Sequence, residues 1–147
     1  MPAIWMMPEG WRYSDGNWPN VGEIDIMEHW GDNQNYVQSA THTPSSYGGT
    51  INHGGQTIAT ASTEFHVYEL DWNSERMIFS VDGNVHYTYN PEIKDPDTWP
   101  YDAEQYFLLN IAIQPSIAAS FSQNAMVIDY VRVYEATPIE GGSESGD

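Results

Sequence analysis

The sequence predicts an all-β protein, an antiparallel β-sandwich, on three observations. Short runs alternate apolar and polar residues at near-regular spacing, clusters of Gly, Pro, Asn, Asp and Ser separate them, and no stretch carries a long helical period. At 147 residues the chain makes one domain long enough to bury a core. That domain is expected over 1–135. The remainder, 136–147, is rich in Gly, Ser and acidic residues and reads as a flexible tail.

Taken in order, Ala3 to Met7 is an apolar run bounded by Pro2 and Pro8, a strand with Trp5 expected inside the core. Glu9 to Asn20 holds too many turn residues to be regular. Its Trp11, Tyr13 and Arg12 abut the next strand, where the rings could stack on sugars and the guanidinium could hold a hydroxyl; the competing role is to anchor the loop. Gly22 to Glu28 is the second strand, Gly31 to Asn35 a turn, and Tyr36 to Thr43 the third strand. Glycine and serine pairs make Pro44 to Gly55 a loop. Phe65 to Trp72 alternates as a strand, and Met77–Val81 and Val85–Tyr89 flank Asp82-Gly83, the strongest short hairpin signal in the chain. Three prolines make Pro91 to Tyr101 a connection. Tyr106 to Ile113 is the most apolar strand; Asn110 and Gln114 share a parity that could line a cleft. Ala125 to Tyr134 alternates again and is expected to close the sheet, with Asp129 set among apolar residues.

The composition narrows the partners. Four Lys+Arg against 21 Asp+Glu give a net charge of −17, which disfavours nucleic acid and anionic membranes and leaves a neutral or cationic partner. Six Trp, ten Tyr and four Phe supply core or flat platforms for ligands with apolar faces. Cysteine is absent, so thiolate chemistry is excluded. No apolar run reaches membrane-spanning length.

The chemistry concentrates in Glu23-Ile24-Asp25-Ile26-Met27-Glu28. On a strand Glu23 and Asp25 share one face, with Ile24 and Ile26 on the other. Glu28 comes one residue late and joins the acids only if a β-bulge absorbs a residue near Ile26-Met27, with Met27 expected as the displaced one. The two glutamates then stand about four steps, some 13 Å, apart at the Cα atoms. Inward-leaning side chains close most of that gap toward the ~5–5.5 Å that a retaining glycosidase requires. Three neighbouring acids also repel, so at least one is expected to keep its proton above the ordinary range. A merely solvated acidic face would not need the apolar partners that flank them.

The row resembles the Glu-x-Asp-x-x-Glu signature of glycoside hydrolase family 16, in the bulged form typical of laminarinases. So do, in order, Pro2–Pro8, Trp18-Pro19, Thr41-His42-Thr43, Phe65–Tyr68, Val81-Asp82-Gly83 and Ile128–Tyr134. The resemblance implies a jelly roll of the concanavalin A-like glucanase type, and retaining endo-hydrolysis of β-1,3-glucan (laminarin) or mixed-linkage β-glucan. It assigns Glu23 as nucleophile, Glu28 as acid and base, and Asp25 as the residue that holds Glu23. It places Trp18 against the sugar and His42 against the sugar or Asp25, requires no cofactor for the chemistry, and implies Asp129 as a ligand of a structural Ca²⁺. In the family further strands precede the segment matching Pro2–Pro8. The sandwich is therefore expected to be incomplete, or completed by a homodimer partner or another chain. A Gly/Trp-rich loop common in relatives is replaced here by Gln114 to Ser120, which alters the expected cleft width. Such a glucanase is expected to be extracellular or periplasmic, with a signal outside this chain, since Met1-Pro2-Ala3 lacks signal character. Three rivals stand beside it: a non-catalytic glucan-binding module, an inactive fragment, and a hydrolase of another polysaccharide such as a marine galactan. A metal-dependent hydrolase fits less well, because no histidine stands at ligand spacing on the acidic strand.

Overall fold

The computed structural model describes residues 1–135; the expected tail, 136–147, lies outside the described residues. The body is two antiparallel sheets. Strands β1 (Pro2–Pro8), β2 (Glu23–His29), β3 (Tyr36–His42), β4 (His53–Thr57), β5 (Tyr68–Trp72), β6 (Met77–Val81), β7 (Asn84–Tyr89) and β8 (Gln105–Ile111) follow one another, with one short 3₁₀ turn at Tyr13–Asp15. The larger sheet runs β4-β3-β2-β1-β8 and the smaller β5-β6-β7. Among the described residues no helix is long and apolar enough to cross a membrane.

Alternation sorts each strand into two faces. Ile24 and Ile26 of β2 and Met6 of β1 point inward, against Met77 and Phe79 of β6 and the Tyr89, Trp99 and Tyr101 rings. Tyr89 and Trp99 lie parallel, their centroids 5.8 Å apart. Phe79 is fully buried, so Phe79→Ala is worth about 3–5 kcal/mol of stability. The opposite face of the larger sheet carries the acids.

The Asp82-Gly83 hairpin forms as expected: both residues have positive φ, 51° and 77°, the conformation a two-residue turn requires. Strand β5, paired with β6, is shorter than the pattern suggests, beginning at Tyr68. Asp82 explains this, because its carboxylate accepts from Val67 N at 2.8 Å and from the His66 ring at 2.7 Å, which ties the approach to the turn.

Four expectations change. Trp5 is half-buried on the outer face, opposite Asp25, where its indole donates to Asn110 Oδ1 at 2.7 Å; it is not a core residue. The end of the stretch Pro44 to Gly55 read as loop belongs to a strand, His53–Thr57. Its glycines are there for close approach: a Cβ on Gly54 would sit 2.7 Å from the His86 carbonyl, and one on Gly55 2.4 Å from Val37 O. Ala125 to Tyr134 forms no strand and pairs with none of the described strands, and Val127, Val131 and Val133 are exposed. Asp129 in turn is exposed rather than half-buried, so the premise that it needs an ion for company fails.

Candidate active site

Strand β2 holds the acids in one row. Glu23 faces His42, Asp25 faces Ala40 and Glu28 faces Gln38 across β3, and on the other side Asp25 meets Trp5 and Glu28 meets Ala3 of β1. Between Asp25 and Glu28 the register slips by one residue against both neighbours, which is the bulge. Against β1 the unpaired residue is Ile26, not Met27, and both stay buried, so Met27 is not displaced from the interior.

The approach to the row is also built. Gly22 has φ 76°, and a Cβ there would lie 2.6 Å from the Tyr101 ring, so only glycine fits. The Tyr101 ring occupies that space, and its hydroxyl donates to His42 O at 2.9 Å, with Glu23 O at 3.3 Å. It clamps the backbone of the two strands where Glu23 and His42 meet.

Polar contacts orient each acid. Trp18 Nε1 donates to Glu23 Oε2 at 2.6 Å, while its ring packs between His42 and Tyr47. Gly48 N donates to His42 Nδ1 at 3.1 Å, so the ring proton sits on Nε2. That nitrogen is 3.1 Å from Asp25 Oδ2 and 4.0 Å from Glu23 Oε1. Asp25 Oδ2 is otherwise without a partner, and the ring N–H approaches it obliquely. Gln38 Nε2 donates to Glu28 Oε2 at 3.2 Å.

All three acids are shifted upward, first by burial. Glu23 is pushed up to about 8 by burial and then by Asp25. Asp25, almost sealed from solvent, is raised well above the carboxylate range by burial and then by Glu28. Glu28 is raised by burial, against which Gln38 and the nearby His42 and His53 pull down. Glu23 and Asp25 therefore titrate as a pair and share a proton at neutral pH. A cavity of about 270 Å³ opens beside Glu28, lined among others by Trp30, Gln38, His42 and His53. A larger depression of about 470 Å³ around Lys94, Asp95 and Trp99 contains none of the row.

Of the residues singled out by sequence, the structure gathers Glu23, Asp25, Glu28, Trp18 and His42 into one constellation, with Asn110 on the same face through Trp5. Trp11 and Arg12 make no hydrogen bond to the row among the described contacts. Trp11 packs edge-on to Tyr13, and its carbonyl accepts from Tyr106. Gln114 lies past the end of β8, with its amide against the Met1 sulfur. Sequence reasoning missed Gln38 and Tyr101. Gln38 stands at the right parity on β3, four residues before His42, and was legible from that; Tyr101 comes from a proline-rich connection and gave no signal.

Glu23, Asp25 and His42 also form the one trio among the described residues whose ligand atoms lie within 4.8 Å of one another. The histidine comes from the neighbouring strand, which a search along the acidic strand alone could not find. With its proton on Nε2, however, the histidine faces the acids as a donor and not as a ligand lone pair.

Comparison with known proteins gives the family. The model of glycosyl hydrolases family 16 matches residues 1–132. A β-glucanase of Rhodothermus marinus is 37% identical over 90% of this chain and 51% of its own. A keratan-sulfate endo-1,4-beta-galactosidase of Sphingobacterium multivorum is 33% identical over 99% of this chain and 36% of its own. The crystal structure of a laminarinase from Flavobacterium sp. superposes with a TM-score of 0.68 at 40% identity, covering 74% of this chain and 46% of that one. The chain thus spans about half the length, or less, of the relatives it matches. With the bulged row of acids on one strand and the match running from its first residue to 132, the chain belongs to glycosyl hydrolases family 16.

Proposed function

We propose that the chain is the acid-bearing part of a retaining endo-hydrolase of β-1,3-glucan or mixed-linkage β-glucan. The observation that carries this is the bulged row itself, two glutamates on one face with a buried aspartate between them. Glu23 and Asp25 share one proton, and in the reacting form Asp25 carries it while Glu23 is the anion. The negative charge then rests on Glu23, where the Trp18 indole N–H supports it. Glu23 attacks the anomeric carbon, the bond to the leaving sugar oxygen breaks, and Glu28 gives that oxygen its proton. Water then attacks the glycosyl-enzyme, leaves its proton on Glu28 and frees Glu23. Two inversions give net retention.

Burial that raises Glu28 suits it to arrive protonated. The reaction needs no cofactor. Polymeric glucan as substrate fits an extracellular or periplasmic site of action. The apolar inner face of β8, left open in this chain, fits completion of the sandwich by a second copy.

The test is reducing-end release from laminarin by the purified chain, with anomeric configuration read by NMR. Glu23→Gln and Glu28→Ala are each expected to lower turnover at least about a thousandfold with the fold retained. Near-normal rates in either variant would remove that residue from its role. Mixed-linkage glucan and a galactan run in parallel decide the sugar, a comparison motivated by the galactosidase among the relatives. Retarded migration in a laminarin gel without product would instead mark a binding module.

A further inference from the structure

Behind the acidic row, on the buried side of the larger sheet, a line of three polar side chains crosses to the smaller sheet. Ser39 of β3 is fully buried and stands opposite the bulge, where Ile26 and Met27 together face it alone. A bulge disrupts the ladder locally. Here Ser39 Oγ donates to Ile26 O at 2.7 Å. Having given its proton to that carbonyl, the hydroxyl accepts from His86 Nε2, 2.8 Å away on β7. His86 Nδ1 is then the acceptor, and Gln56 Nε2 of β4 donates to it at 3.0 Å while reaching Asn84 O at 3.1 Å. Every hydrogen in the line has one acceptor, Gln56 Nε2 using both of its own, and the direction of each proton follows from the previous one.

The line exists because β7 comes unusually close to β4. A side chain on Gly54, the residue paired with Ser39, would meet the His86 carbonyl at 2.7 Å and Tyr87 Cβ at 2.9 Å. Glycine there lets the His86 ring reach under the bulge. Burial lowers the His86 pKa, which keeps the ring neutral and the proton order intact.

We propose that Ser39, His86 and Gln56 form a positioning strut that fixes the bulge and thereby aims Glu28 at the leaving oxygen. None of the three touches substrate; they act through the Ile26 carbonyl, two residues before Glu28. The inference rests on the acid role given to Glu28 above. A group held by its backbone in this way loses catalytic power when it shifts by an ångström, with little effect on binding.

The test compares two substrates whose need for an acid differs. For Ser39→Ala, kcat/KM on laminari-oligosaccharides is expected to fall about tenfold or more. On a dinitrophenyl laminarioside, whose leaving group departs with little protonation, the loss is expected to stay within about threefold. His86→Leu should follow Ser39→Ala, and His86→Gln, which keeps an N–H for the serine, should restore most of the rate. Equal losses on both substrates, or no loss on either, would overturn the strut.

Amide hydrogen exchange provides a readout independent of turnover. Protection at Met27 and Glu28 should drop in Ser39→Ala and His86→Leu but not in His86→Gln. Should the unmodified chain hydrolyse no glucan, the enzymatic reading fails while exchange still decides the strut: unchanged protection in both variants removes it.

Discussion

Glu23 is the residue on which sequence, structure and chemistry press hardest. It sits one residue after a glycine that tolerates no side chain, under a tyrosine clamp and against a tryptophan donor. Its proton affinity, raised from 4.5 to about 8, has a consequence for stability. The folded Glu23–Asp25 pair keeps a proton that the unfolded chain releases near the ordinary carboxylate range. Stability is therefore full below about 4.5 and falls as the pH rises toward about 8. Glu23→Gln carries no such proton yet still offers Trp18 an acceptor. Between pH 4 and pH 8 the variant is expected to lose less stability than the parent, by roughly 1–4 kcal/mol, because Asp25 alone is left to ionise. Denaturant midpoints of both proteins at the two pH values measure this. Parallel curves would mean that Glu23 ionises as freely in the fold as outside it.

At the scale of the element, β2 shows what a pattern can and cannot disclose. The parity of Glu23 and Asp25 and the lateness of Glu28 demanded a bulge, and the bulge is there. The hairpin at Asp82-Gly83 was legible for the same reason: a local rule with a local cause. What stayed hidden depends on contacts between distant segments. Gly54 and Gly55 read as loop punctuation, yet they mark where two sheets and a tyrosine ring close together. Trp5 read as core because apolar strands usually are, yet its indole serves the outer face beside Asp25. Ala125 to Tyr134 has a strand's alternation, but alternation supplies no partner.

The bulge itself can be tested by changing its length. Deleting Met27 leaves the three acids in strict alternation, so the last glutamate stays on the cleft face and turnover is expected to drop by less than about a hundredfold. Inserting an alanine between Met27 and Glu28 turns that glutamate toward the core while the bulge persists, and carries it a strand step farther from Asp25 if the bulge is lost. Activity should then vanish. Equal activity in the two variants would show that face and register do not govern the site.

On the scale of the whole molecule the two layers are unequal, and that inequality makes a prediction about association. The smaller sheet packs under β4 and β2, through β7 and β5, while β8 ends the larger sheet with one edge unpaired among the described residues. On the inner face of β8, Phe107, Leu109 and Ile111 are each about two-fifths exposed, at 37%, 41% and 40%. In a completed sandwich such positions are covered. Ala125 to Tyr134, strand-patterned and unpaired, leaves Val127, Val131 and Val133 open as well. A free edge beside an uncovered apolar face is a template for pairing with another chain. A second copy brings the same two unmet surfaces, so a two-fold exchange can satisfy both at once. The net charge of −17 opposes it, so association should strengthen as salt screens the repulsion. The purified 16.6 kDa chain is therefore expected to scatter light as a dimer or larger species, more so in 0.5 M than in 0.05 M salt, both chosen to bracket about 0.15 M. Leu109→Asp puts a charge at the centre of the open face and should return the chain to monomer without touching the acidic row. A wild-type chain that stays monomeric at both salt concentrations and binds no hydrophobic dye would show that this face needs no cover from a second copy.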